Sequence, residues 1–222
     1  AKLDNGIHFS KNKLNHAYVF TQSQGSEYDV RIENFDLGKF TSNKDLGIVD
    51  GTFFLTGEAF SSADIRFHKI EGDVNRFDYL GYSYNDIMIQ KGKLINESFS
   101  GKIDIIDDNI TLSYIGTADF KDNLNLNCRV VIEDAFLDQL NFTTTKAKLT
   151  SSFIINLSGE DLNNFEGNVI VDNLLYEENN KFIELPELTL EIQKGVLKDF
   201  YAIKSNIVDA EVIGKINFSN IV

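Results

Sequence analysis

This sequence predicts an all-β fold with very little helix, on three observations. Apolar and polar residues alternate with a period of two through most of the chain, the pattern of strands with one apolar and one wet face. The alternating segments are joined by short polar turns of Asn, Asp and Gly, in a chain with a single Pro. A series of short motifs also occurs twice in the same order, at an offset of roughly 100 residues, as in quasi-one-dimensional repeat architectures. The alternation template gives roughly 14 to 16 strands.

Taken in order, residues 1–27 read as the tail of a preceding unit, 28–121 as a first repeat and 122–222 as a second. No linker separates them, so residues 1–222 are expected to form one continuous sheet, cut from a longer protein. Tyr28-Asp29-Val30-Arg31-Ile32-Glu33 alternates cleanly. A short helix is expected from Leu37-Gly38-Lys39-Phe40 toward Leu46. Leu124 to Ile132 alternates with Asn125, Asn127 and Arg129, and a second short helix is expected over Ala135 to Leu140. Each helix is too short to be stable alone and must pack its apolar side on the sheet. Phe153, Ile155 and Leu157 alternate with Ile154, Asn156 and Ser158; Leu188 to Ile192 and Val212 to Phe218 continue the pattern. Asp107-Asp108-Asn109, Lys121-Asp122-Asn123 and Glu177-Glu178-Asn179-Asn180 read as hairpin turns, which makes neighbouring strands antiparallel. Glycine stands just ahead of strands in Gly51-Thr52-Phe53, Gly101-Lys102-Ile103, Gly116-Thr117-Ala118 and Gly214-Lys215-Ile216. There it would allow a bend or bulge in a curved sheet.

The repeat rests on four motif pairs. Ile32-Glu33-Asn34-Phe35-Asp36-Leu37 returns as Ile132-Glu133-Asp134-Ala135-Phe136-Leu137, and Leu55-Thr56-Gly57-Glu58 as Leu157-Ser158-Gly159-Glu160. Ile70-Glu71-Gly72-Asp73-Val74 returns as Phe165-Glu166-Gly167-Asn168-Val169, and Ile115-Gly116-Thr117-Ala118-Asp119-Phe120 as Ile213-Gly214-Lys215-Ile216-Asn217-Phe218.

Composition narrows the function. The apolar fraction of 42% is that of a folded protein. A formal charge of −13 disfavours nucleic acid, which needs a cationic surface to release counterions, and disfavours electrostatic docking of the whole chain on anionic membranes. Cys128 is the only cysteine. It rules out an intrachain disulfide and a cysteine zinc site, and it reads as a small apolar core residue. No signal peptide and no membrane-spanning apolar run is present.

No catalytic constellation stands out, so no catalytic residue, metal ligand or cofactor is assigned and an enzyme is not expected. His8, His16 and His68 lack metal-ligand spacing. The Asp107-Asp108 and Glu177-Glu178 pairs read as solvated turns rather than as acid–base or calcium sites. Sequons at Asn96, Asn109 and Asn141 are expected by chance in so Asn-rich a chain.

What remains is an apolar stripe. Phe53, Leu55, Ile65, Phe67, Ile87, Ile89, Ile103, Ile105, Leu112, Tyr114, Leu126, Val130, Phe153, Ile155, Val169, Val171, Leu190, Ile192, Ile203, Val212, Ile216 and Phe218 fall on apolar faces by alternation. Two structures satisfy that pattern: a closed core between two sheets, and an open apolar trough.

The order of certain segments resembles a known family. The segments are Phe77-Asp78-Tyr79-Leu80-Gly81-Tyr82-Ser83-Tyr84-Asn85-Asp86-Ile87, then Gly92 to Ile105, Asp107 to Leu112, Ala135 to Phe142 and Asp209 to Gly214. Together they are similar to a periplasmic segment of the TamB and AsmA-like proteins in their Bacteroidetes form. The resemblance implies an elongated, strongly curved antiparallel sheet curled into a U-shaped apolar trough, a β-taco. It implies a soluble periplasmic segment of a parent protein anchored in the inner membrane. It also implies phospholipid as the cargo, moved toward the outer membrane along the stripe residues, and links such proteins to outer-membrane protein assembly with an Omp85-type partner. The chemistry suits that role: an acyl chain on an apolar face avoids about 0.8 kcal/mol of exposure per CH₂, while a headgroup at the open edge stays solvated.

Overall fold

The computed structural model describes residues 18–24, 26–61, 64–121, 123–160 and 164–215, and for 18–24, 59–61 and 64–65 the backbone alone. The first half runs through β1 (Tyr18–Gln24), β2 (Glu27–Asp36), α1 (Leu37–Thr41), β3 (Leu46–Ser61), β4 (Asp64–Tyr79), β5 (Tyr82–Tyr84), β6 (Ile87–Ile95), β7 (Ser98–Asp107) and β8 (Ile110–Asp119). The second runs through β9 (Leu124–Phe136), β10 (Ala147–Gly159), β11 (Glu166–Glu178), β12 (Lys181–Gln193), β13 (Asp199–Ser205) and β14 (Asp209–Gly214). All fourteen strands belong to one sheet, in sequence order, with the short β5 paired to β4 off the main path. Every pairing is antiparallel, and among the described strands β1 and β14 stand at the two edges. At about 4.8 Å per strand, thirteen consecutive strands extend on the order of 58 Å across the sheet. The described strands thus form one sheet rather than two separate ones.

The doubled motifs occupy matching strands. Ile32-Glu33-Asn34 ends in β2 and Ile132-Glu133-Asp134 in β9, and both carry the same local irregularity. Ile32 faces Gly51 and Phe35 faces Val49, so β2 has one residue too many; Ile132 and Ala135 bulge likewise against β8 and β10. In the first copy Asn34 takes a left-handed φ of 50°, which Asn tolerates better than most residues. After each bulge the chain leaves the sheet at the same rim and returns as β3 or β10.

Only one of the two expected helices forms. Leu37 to Thr41 is a single helical turn, with Asp36 as N-cap accepting from the Lys39 N–H and Ser42 as left-handed C-cap. The second stretch is split: Ala135 and Phe136 finish β9, and 137–141 is a turn closed by Leu140 N–H to Phe136 O (3.1 Å) and Phe142 N–H to Leu137 O (2.9 Å). Leucine spacing mimicked a helix because Leu137 and Leu140 both turn inward beside β9.

The glycines also sit differently. Gly51, Gly101 and Gly116 lie inside β3, β7 and β8 rather than ahead of strands. A Cβ on Gly101 would stand 2.8 Å from the Gly92 Cα, and one on Gly116 2.4 Å from the Cys128 Cα. Neighbouring backbones thus fill the space that side chains would take.

The tightest core lies at the rim carrying α1. Val74, Tyr84, Ile87, Ile110, Ala135 and Leu140 form a buried cluster, with Phe77, Tyr79, Ile105, Leu112 and Ile132 packed on it. Two loops meet over it. The Asn141 amide donates to Leu80 O (3.0 Å), and the Phe142 and Tyr79 rings lie 6.3 Å apart. This contact joins the end of β4 to the segment after β9, across β6, β7 and β8. Asp78 anchors the first loop, accepting from Arg76, the Ser83 hydroxyl (2.6 Å) and the Ile48 N–H (3.2 Å).

Burial pushes the Tyr84 phenol up to about 12. The unfolded phenol titrates near 10, so the native state keeps a proton that the unfolded state loses between these values. The contribution is whole below pH 10 and falls by roughly 2 kcal/mol as pH rises toward 12. Urea unfolding at pH 8, 10 and 11.5 should show this loss, and Tyr84→Phe should remove much of it.

Candidate apolar face

Strand register turns alternation into rows. One row crosses ten strands, from β2 to β12: Val30, Phe53, Gly72, Ile89, Ile103, Tyr114, Val130, Phe153, Val171 and Leu188. Nearer the α1 rim run Ile32, Gly51, Val74, Ile87, Ile105, Leu112, Ile132 and Ser151. On the other side, Tyr28, Leu55, Ile70 and Gly92 lead past Gly101 to Gly116, Cys128, Ile155, Val169, Leu190, Ile203 and Ala210. Outermost are Gly57, Phe67, Leu94, Phe99, Ala118, Leu126, Leu157, Gly167, Ile192, Tyr201 and Val212.

Every stripe residue whose side chain is described falls on one of these rows. Ile216 and Phe218 lie outside the described residues, as do His8 and His16; Ile65 is placed in β4 by its backbone alone. Ile87, Ile103, Ile105 and Leu112 belong to the capped core. Leu126, Ile155, Val169 and Leu190 stay half-buried, and Val212 is 47% exposed. The face is sealed at the α1 rim; toward the opposite rim its burial is uneven, with Cys128, Ile192 and Tyr201 buried and Ile203 and Val212, near β14, 39% and 47% exposed.

The stripe left out Leu94, Phe99 and Tyr201, which lie on this face together with Leu157 and Leu188, the two that alternation sets beside Ile155 and Leu190. Their signal is register: Leu94 faces both Phe67 and Phe99, and Tyr201 faces both Ile192 and Val212. Cys128 also faces inward, and burial pushes its thiol up, away from the reactive thiolate.

The reverse face carries the charged side chains, with Met88, Ile106 and Ile115 exposed among them. Arg31–Glu33, Lys69–Glu71, Arg76–Asp78 and Lys102–Asp104 pair along single strands on it. Such exposed pairs contribute about 0–1 kcal/mol each. A groove of about 890 Å³ crosses β8 to β12, lined by Thr117, Asn127, Asn156, Asn168 and Glu191 among others. These five face one another in register on the wet side, while Leu126, Leu157 and Ile192 of the outermost apolar row line the same hollow. Asp107 is a turn staple, accepting from the Asn85 N–H (3.0 Å) and the Asn109 N–H (3.0 Å). Among the described residues no three His, Cys, Asp or Glu side chains are grouped as metal ligands, and no helix is long and apolar enough to cross a membrane.

No protein-family model, curated protein or solved structure matches the chain.

Proposed function

We propose that the apolar face shields phospholipid acyl chains during transport between membranes. The observation that carries this reading is the set of rows of mainly apolar residues that run in register across as many as eleven strands, with half-buried and exposed members beyond the capped core. A compact binding pocket needs one enclosure with a few fixed polar groups. A conduit needs many equivalent shallow contacts, and rows repeated strand after strand supply them. No bond need be made or broken, so the face requires no catalytic group. The loop contact over β6 to β8 supports a sheet curled toward its apolar side, as a trough requires. The resemblance to TamB and AsmA-like proteins adds the setting: a periplasmic segment of a parent anchored in the inner membrane, delivering phospholipid toward the outer membrane.

Two variants test this. Ile155→Asp and Leu190→Asp each place a charge in one open row, away from the capped core. Protein purified without detergent should carry phospholipid detectable by native mass spectrometry, and each variant should carry several-fold less while keeping its β-sheet circular dichroism. Lipid-free wild type, or folded variants with unchanged lipid, would contradict the reading.

A second reading draws on the sheet edges. β14 pairs only with β13 among the described strands, and Val212 and Ile213 on it are 47% and 66% exposed. A free edge with apolar side chains can accept another strand, as a scaffold for outer-membrane proteins or an Omp85-type partner would. Photo-crosslinkers at Val212 separate the two: captured polypeptide supports strand pairing, captured lipid supports the conduit.

A further inference from the structure

We infer that the hollow across β8 to β12 binds a neutral oligosaccharide, held by the carboxamides of Asn127, Asn156 and Asn168. This inference stands apart from the reading of the apolar face, because these side chains lie on the opposite, wet face. Thr117, Asn127, Asn156, Asn168 and Glu191 stand side by side on five adjacent strands. At about 4.8 Å per strand the row extends roughly 19 Å, along a hollow of about 890 Å³. That is room for an extended chain of several sugar rings.

Asparagine is depleted in strands, so three in one register row need a cause. Elsewhere in this chain the backbone supplies one. Asn34, Asn96, Asn141 and Asn173 take left-handed φ between 50° and 64°, a region that Asn enters more readily than most residues. Asn127, Asn156 and Asn168 lie instead in ordinary extended backbone inside β9, β10 and β11. Their side chains do not staple the sheet either. Among the described residues, none of the three carboxamides is hydrogen-bonded to another group. Each presents two N–H donors and an acceptor oxygen, and Asn156 and Asn168 do so from half-buried positions.

The chemistry of the lining selects the ligand. A group that both donates and accepts is best met by another that does both. A hydroxyl does so, whereas a carboxylate only accepts and an ammonium only donates. Charge agrees with a neutral ligand. Asp119, Glu166 and Glu191 line the hollow against Lys194, which Asp199 engages in a network with Tyr201 and Lys215. The excess of carboxylates repels phosphorylated and acidic chains. No aromatic ring is among the lining residues, so bases of a single-stranded nucleic acid find no stacking platform. An extended polypeptide adds to a sheet at its edge, whereas this row runs across the face. A neutral chain of hydroxyl-bearing rings laid across the strands meets all these conditions.

Titration of isotope-labelled protein with cellohexaose and with maltohexaose, followed through the side-chain carboxamide resonances by NMR, tests this. Those of Asn127, Asn156 and Asn168 should shift with at least one of the two sugars. Those of Asn141 and Asn180, at the α1 rim, should not. Asn156→Thr and Asn168→Thr remove a carboxamide and install a residue suited to strands. Each should weaken binding about five-fold, the loss of one hydrogen bond, without lowering stability in urea. Lys69→Thr, on the wet face of β4 and far from the hollow, should leave binding unchanged. Hexagalacturonate, equally long but acidic, should bind more weakly than the neutral sugar. The inference is overturned by unshifted carboxamides with both neutral sugars, by parental affinity in both Thr variants, or by galacturonate binding equally well.

Discussion

Replacing Leu140 with alanine should cost about 3–4 kcal/mol of unfolding free energy, within the range for Leu→Ala in packed cores. Leu140 has 0% exposure and is the largest fully buried side chain among the described residues. It lies in the turn after β9 and packs with Val74, Tyr84, Ile87, Ile110 and Ala135. The residues around it come from β4, β5, β6, β8 and β9, so they cannot all collapse onto a smaller side chain. The same turn carries Asn141, whose amide bonds Leu80 across three strands. Leu140→Ala should therefore also loosen the loop contact that caps the face, seen as faster amide exchange near Leu80. Asn141→Ala should cost only about 1 kcal/mol, one exposed hydrogen bond. Urea unfolding of both variants checks this; a loss below 1 kcal/mol for Leu140→Ala would show that the cap is not part of the cooperative core.

Gly116→Ala should be the most damaging single-atom change tested in the sheet. Gly116 holds φ at +157°, and a Cβ there would come within 2.4 Å of Asn127 O and of the Cys128 Cα. Both obstacles are backbone or fixed to backbone, so the strands must part rather than a side chain turn. Overpacking with backbone strain costs about 3 kcal/mol or more. Its repeat partner, Gly214, has nothing within 4 Å of an added Cβ, and Gly214→Ala should change stability by less than about 0.5 kcal/mol. Denaturant midpoints of the pair decide the matter. Equal tolerance at both positions would mean that β8 and β9 do not approach as closely as described.

The all-β class was legible because period-two alternation survives in nearly every strand, and the antiparallel order because turns such as Asp107-Asp108-Asn109 are too short for crossovers. The single sheet was expected from the two repeats following one another without a linker, not from alternation, which describes one face of a strand and is silent on whether a second layer covers it. A bulge explains why Leu94 was missed. In β6, Lys91 takes φ of 51° between Ile89 and Leu94, and the register shifts by one residue there. In β11, Asn173 at φ 52° separates Val171 from Leu174, which faces the buried Leu185 of β12. Each bulge reverses the phase of alternation, so an unbroken count assigns the residues beyond it to the wrong face. The network at Asp199 was invisible for another reason. Lys194, Asp199 and Tyr201 are near in sequence, but Lys215 joins them only because β14 returns beside β13.

The central claim is that lipid occupies the apolar rows and not the polar reverse. Photo-crosslinking with a phospholipid carrying a diazirine in its acyl chain, followed by peptide mass mapping, tests this most directly. Adjacent residues of one strand supply the contrast: Ile155 lies on the apolar face and Ile154 and Asn156 on the other. Labels should concentrate on Leu126, Ile155, Val169 and Leu190 and spare Asn127, Asn156 and Asn168. Labels spread equally over both faces, or centred on Asn127, Asn156 and Asn168, would contradict the account.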